Sequence, residues 1–241
     1  MANSDRNTVF QTLASGFAEL LVEERVPTGL SASKSTQKEL FKNKILKELE
    51  IFNQQLVDGV FHLLNKISFT PDIASDLEKL AQYSQSLHIQ ERKELYIKAL
   101  TEGSSLQQLC GITEETLEHL YKAAKALYDQ KDFQAARAAF TFLTLLDHFR
   151  YAFWLGLATS TMYCHAFDSA LTAFAFAIQM NPADPICHIY SSHCYDELNQ
   201  LDNAINALDL ALVAIDKNSA YADWKKRVQE EKMRLTRKQK N

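Results

Sequence analysis

Glycine and proline are scarce, with six and four in 241 residues. A β-sandwich or barrel needs tight turns at short intervals, and so few turn-forming residues argue against one. Cysteine is scarce too. Cys110, Cys164, Cys187 and Cys194 have neither the number nor the spacing of a disulfide framework in a chain of this length. No glycine-rich phosphate loop occurs. The longest charge-free run of interest, residues 151–167, falls short of the roughly 20 residues that span a bilayer. The N-terminus carries Asp5 and lacks an apolar run, so no signal peptide and a cytoplasmic location are expected. A net charge of −4 excludes a generally basic protein. Residues 225–241 hold eight Lys or Arg against two Glu, so the basic charge is confined to one tail. A local patch without a nucleic-acid-binding motif argues against nucleic acid as a partner, and the tail reads as a solvated helix end suited to the helix dipole.

What remains is rich in Ala, Leu, Gln, Glu and Lys, the good helix formers. An all-α chain is expected. Residues 8–25 read as an amphipathic helix and 26–35 as a Pro/Gly/Ser linker. A long helix follows at about 37–67. Its stripe of Phe41, Ile45, Leu49, Phe52, Leu56, Val60, Leu63 and Ile67 advances in steps of three and four. Pro71 opens a further helix to about 88, and another follows at about 90–101, with Gly103 as its stop. A short apolar element then precedes Thr113, the N-cap of the next helix.

From residue 117 a 34-residue frame fits three times: 117–150, 151–184 and 185–218. In the middle unit Trp154, Leu157, Ala158, Phe167, Ala170, Phe174, Ala177 and Pro182 match the tetratricopeptide pattern. Leu120, Ala124, Phe133, Ala136 and Phe140 repeat it before, and Ser192, Tyr195, Leu201, Ala204, Leu208 and Ala211 after. Small residues let two antiparallel helices approach, and large ones fill the gaps between them. Residues 219–241 read as a capping helix with Tyr221, Trp224, Val228 and Leu235 inward. The expected architecture is a helical extension at 1–90, pre-repeat helices at 91–116, three tetratricopeptide repeats and the cap.

Leu120, Tyr121, Tyr128, Phe133, Ala136, the "LDH" of 146–148 and the "F-x-LGL" of 153–157 carry a more specific likeness. Over about residues 95–235 the chain resembles the class II chaperones of bacterial type III secretion. The resemblance implies a cytosolic chaperone that holds hydrophobic, pore-forming translocator subunits before secretion. It further implies recognition of an extended Pro-x-Leu-x-x-Pro type segment in the concave groove of the repeats. It also implies a homodimer contact through the region before the repeats. Residues 1–90 lie outside it and could replace, block or enlarge that contact.

The repeat frame places Tyr121, Lys125 and Tyr128, then Leu155, Thr159 and Met162, then Ile186, Ile189 and His193 along the groove, with Tyr163 alongside. This largely apolar surface suits inserted Leu and Pro side chains. Lys125 stands where the family often has an aromatic. It is the groove's single charged donor in this frame, so a grip on a C-terminal carboxylate by several converging cations is not expected. Cys187, His188, His193 and Cys194 invite a zinc reading. On a helix, however, 188 and 193 diverge from the face shared by 187 and 194, and no metal or cofactor is expected. Asp147–His148 sits at a repeat end and reads as turn chemistry, so no enzyme is expected. The alternatives left open are a general tetratricopeptide scaffold and a regulatory co-activator.

Overall fold

The computed structural model describes residues 58–67, 70–86 and 104–240. The expected helix at 8–25, the linker at 26–35, most of the helix at 37–67, the helix at 90–101 and the Gly103 stop lie outside the described residues. The described chain is helical throughout, and no strand occurs among the described residues.

Residues 58–66 form α1. Its Val60 and Leu63 are fully buried and Ile67 packs beside them, so the end of the long apolar stripe does face a core. Gly59 explains how closely α1 approaches its neighbour. A Cβ there would lie 2.1 Å from the Ala138 carbonyl oxygen, a backbone atom that no rotamer change can move away. Pro71 opens α2, Pro71–Ser86, at the helix position where a missing N–H costs nothing. Ile73, Leu77 and Leu80 form its inner face. A short α3, Leu106–Leu109, begins with a Ser105–Gln108 capping box.

Three helix pairs follow. They are α4 (Glu114–Asp129) with α5 (Phe133–Leu146), α6 (Tyr151–Tyr163) with α7 (Phe167–Met180), and α8 (Pro185–Glu197) with α9 (Leu201–Lys217). The second helices begin at 133, 167 and 201, one repeat frame apart. The small residues of the pattern sit where helices cross. Ala124, Ala136, Ala158, Ala170, Ala177, Ala204 and Ala211 are all fully buried. Phe140, Phe174 and Leu208 fill the space beside them. A feature the sequence reading did not register recurs in the same phase. Lys131, His165 and Asn199 close the three inter-helix turns in the left-handed region, at φ of 64°, 59° and 55°. Of these asparagine and histidine are enriched in that conformation, and lysine is not.

The array has an inner and an outer side. The first helices lie against one another, α4 beside α6 and α6 beside α8, whereas the second helices do not pack side by side in this way. The chain therefore curves around the faces of α4, α6 and α8.

A 3₁₀ turn, Ser219–Trp224, leads to α10, Lys225–Lys240. Val228 and Leu235 close the last core against Leu208, Ala211 and Ile215. The basic tail is exposed over most of its length, as expected, but several of its charges are ordered in surface ion pairs. Lys225 pairs with Asp216, Lys232 with Asp209, and Gln239 with Asp202. Both partners step by seven residues in opposite directions, so the two residue numbers in every pair add to 441. That is the register of an antiparallel heptad pair. Arg234 and Lys238 reach across to Asp196 on α8. Asp209→Lys is expected to lower the melting temperature by about 2–4 °C, since a half-exposed pair and the repulsion replacing it amount to roughly 1 kcal/mol. Adding Lys232→Asp restores it. Calorimetry at low and high salt checks this, and a single variant that melts like the wild type at low salt contradicts the ladder.

Candidate groove on the inner face

The inner wall begins with aromatic rings. Tyr121 of α4 packs edge-on to Phe140 at 6.3 Å between ring centroids and against Phe153 of α6 at 5.7 Å. Both partners are buried, so Tyr121 is held from behind and remains half exposed. These partners follow Tyr121 in the chain rather than precede it. One turn pair along, Tyr128 meets Phe133 at 5.4 Å and Tyr163 at 6.1 Å, and Tyr163 stacks on Phe133 at 4.4 Å. Tyr163 is 44% exposed, so one face of this three-ring set is open. Burial pushes the Tyr128 hydroxyl up to about 12 even though it is hydrogen-bonded to the Thr159 side chain. It is a neutral hydrogen-bonding group at any physiological pH.

The other expected groove residues divide. Leu155, Ile186 and Ile189 are half-buried and His193 is exposed. Lys125 is exposed and its ammonium is bonded to Asp129 at 2.6 Å, so its charge is already matched. Two placements are corrected. Met162 is 4% exposed and belongs to the core cluster with Ala158, Ala170 and Phe174. Thr159 is 6% exposed and donates its hydroxyl to the Leu155 carbonyl, which leaves it as a support for Tyr128 rather than a contact surface. The helix carrying both has no charged residue to mark its outer side.

Arg227 was not among the expected groove residues, and Trp224, expected to face inward in the cap, is instead 37% exposed. α8 and α10 each run antiparallel to α9, so they are parallel to each other. With Arg234 on Asp196, Arg227 stands two turns earlier, beside Ile189 and Tyr190. The Arg227 charge is close enough to Tyr190 to oppose the upward push that burial gives its hydroxyl.

The cysteines and histidines form no site. Cys187 and Cys194 are fully buried, and burial raises their thiols to about 11 and about 12. They are protonated and poor nucleophiles near neutral pH. Among the described residues no group of three His, Cys, Asp or Glu is placed to hold a metal. Asp147 does shape its turn. Its carboxylate accepts from the Phe149 N–H at 3.1 Å and from Arg150 Nε at 2.8 Å, while Trp154 Nε1 donates to the His148 carbonyl at 2.8 Å. Among the described residues no helix is long and apolar enough to cross a membrane.

No family model matches the chain. The low calcium response locus protein H of Yersinia pestis is 26% identical over 126 residues, which are 52% of this chain and 75% of that relative. The type III secretion chaperone SycD of Yersinia enterocolitica, solved with a peptide of the translocator YopD, superposes with a TM-score of 0.51 at 25% identity. The chain is a homologue of the type III secretion translocator chaperones. A further homologue, the chaperone protein SicA of Salmonella dublin, is 27% identical over 106 residues, 43% of this chain and 64% of its own. The match to SycD covers 53% of this chain and 98% of SycD, so about half of this chain has no counterpart in that translocator chaperone.

Proposed function

We propose that this protein is a cytoplasmic, non-catalytic chaperone that holds hydrophobic translocator subunits through the inner face of α4, α6 and α8. It keeps them soluble, apart from one another and competent for secretion. One observation carries the reading: in the aromatic wall Tyr121 is braced from behind by buried Phe140 and Phe153, Tyr128 and Tyr163 are braced by Phe133, and Tyr163 is left open in front. That SycD was solved in complex with a peptide of the translocator YopD supports a translocator segment as the occupant. An extended segment of the Pro-x-Leu-x-x-Pro type would set its Leu and Pro side chains between such rings. Each buried Leu supplies about 1.5–3 kcal/mol before ordering costs, so two or three anchors give reversible holding. A homodimer through the region before the repeats belongs to the same proposal.

Calorimetric titration of the full chain with a synthetic Pro-x-Leu-x-x-Pro peptide tests it. Tyr121→Ala and Tyr128→Ala are each expected to weaken binding about tenfold, the equivalent of one aromatic contact of roughly 1.4 kcal/mol. Co-purification from the native cell should bring down a partner with two long hydrophobic segments. Soluble partners only, retained by both variants, would overturn the proposal.

A further inference from the structure

The charges along the inner face are almost all matched. Glu118 pairs with Lys122, Lys125 with Asp129, and Asp196 with both Arg234 and Lys238. Glu231, the residue of α10 facing His193, pairs with Arg234. Arg227 is different. Among the described residues no carboxylate pairs with it, Asp223 one turn earlier included, whereas Arg234 and Lys238 further along the same flank are both paired. Its position is fixed from two sides: by the register that seats Arg234 and Lys238 on Asp196, and by the 441 ladder that locks α10 to α9. Its surroundings are polar at one edge and apolar at the other. By the same register Arg227 is level with Ile189 of α8, Tyr190 is within reach of its charge and packs its ring on buried Phe174 at 6.1 Å, and exposed Trp224 is one turn back.

The groove thus has two chemically distinct parts. The α4–α6 part is aromatic and carries no unmatched charge. The α8–α10 part presents the exposed Arg227 guanidinium, which makes no ion pair among the described residues. We infer that Arg227 is a specificity-determining residue that pairs with an acidic side chain of the bound segment, lying beyond that segment's apolar anchors. The inference rests on the proposed function and names a further requirement on the same occupant. An exposed guanidinium beside an apolar wall attracts a carboxylate with two parallel hydrogen bonds. A lone cation also sets polarity: a segment threaded the other way would carry its acidic group to the aromatic end, where no counter-charge waits. This is one pairing, not the several converging donors that grip a chain terminus.

The test uses the full chain and short synthetic peptides in calorimetric titration. Each peptide carries Pro-x-Leu-x-x-Pro, with Asp or Asn placed before or after the motif and the C-terminus amidated or free. The amidated Asp peptide of one orientation is expected to bind about three- to tenfold more tightly than its Asn twin, in line with an exposed charge-assisted pair. Arg227→Gln should erase that difference without moving the melting temperature, Arg227→Lys should keep part of it, and added salt should shrink it. Equal binding of Asp and Asn peptides by the wild type, with Tyr121→Ala still weakening both, overturns the inference and leaves the chaperone reading standing. Dependence on Arg227 seen only with free C-termini assigns it to a chain terminus and overturns the acidic side chain. Failure of every peptide to bind removes both readings together.

Discussion

Gly156→Val is expected to lower stability by about 3 kcal/mol or more, at the upper end of what overpacking a core costs. The Cβ alone would lie 2.4 Å from two ring carbons of Phe140. That ring is 3% exposed and has Tyr121 against it, so it has nowhere to retreat except into the groove wall. Thermal melts followed by circular dichroism should fall by about 6–12 °C for a chain of this size. Gly156→Ala should show most of the effect, and Phe140→Leu should partly rescue it by removing the ring atoms that clash. Peptide binding should fall in parallel, because the displaced ring is the backing of Tyr121. A Gly156→Ala protein with unchanged melting would mean that α5 and α6 are free to separate.

Asp76→Ala is expected to cost about 2–4 kcal/mol, the range for stripping a buried charged acceptor from several donors. Asp76 is 1% exposed. Its Oδ2 accepts from the Thr113 N–H at 2.8 Å, the Thr113 hydroxyl at 2.7 Å and the Thr116 hydroxyl at 2.8 Å. Its Oδ1 takes the Lys79 ammonium at 2.7 Å. One carboxylate therefore ties α2 to the start of α4, where Thr113 also caps the helix. Burial pushes this carboxyl up, but the bonds from Lys79, Thr113 and Thr116 more than offset it and hold it at about 2. The native state thus binds the proton more weakly than the unfolded chain does. Its contribution is complete above the ordinary carboxyl range near 4 and drains away as pH falls from there toward 2. Urea titrations of wild type and Asp76→Ala should differ fully at pH 7, draw together from about pH 4 downward and come closest near pH 2. A gap that stays constant through that range would assign Asp76 a packing role only.

The phase of the array was readable from spacing alone, because the 34-residue recurrence of small and large residues reflects where helices cross. Thr113, Pro71 and the "LDH" turn were readable for the same local reason: each has chemistry that only one place in a helix or turn rewards. Met162 and Thr159 were misplaced because the helix from 151 to 163 carries no charge, and a helix apolar all round gives no sign of which face is out. Arg227 was missed because the tail was read as solvent-exposed charge. The signal was present in the order of the charges: Asp202, Asp209 and Asp216 rise by sevens while Lys225 and Lys232 answer from the other end. Lys131 gave no warning of its left-handed turn, since lysine is not among the residue types enriched there, whereas His165 and Asn199 are of types that are.

The charge ladder on α9 and α10 works like a vernier scale with repeating marks. Slid by one heptad, α10 would still find partners for two of its polar groups: Lys225 would meet Asp209 and Lys232 would meet Asp202. Evenly spaced rungs alone therefore define the alignment only up to a multiple of seven. Asp196 discriminates between the settings, because it lies off the ladder: it takes two cations, Arg234 and Lys238, in the observed one, whereas the slip would bring it Arg227 together with the like-charged Glu231. The pin also determines the calibre of the groove. A slip of one heptad would carry Arg227 about 10 Å along the α8 wall, given a rise of roughly 1.5 Å per residue. The distance between the aromatic pockets and the guanidinium is thus written in a single aspartate.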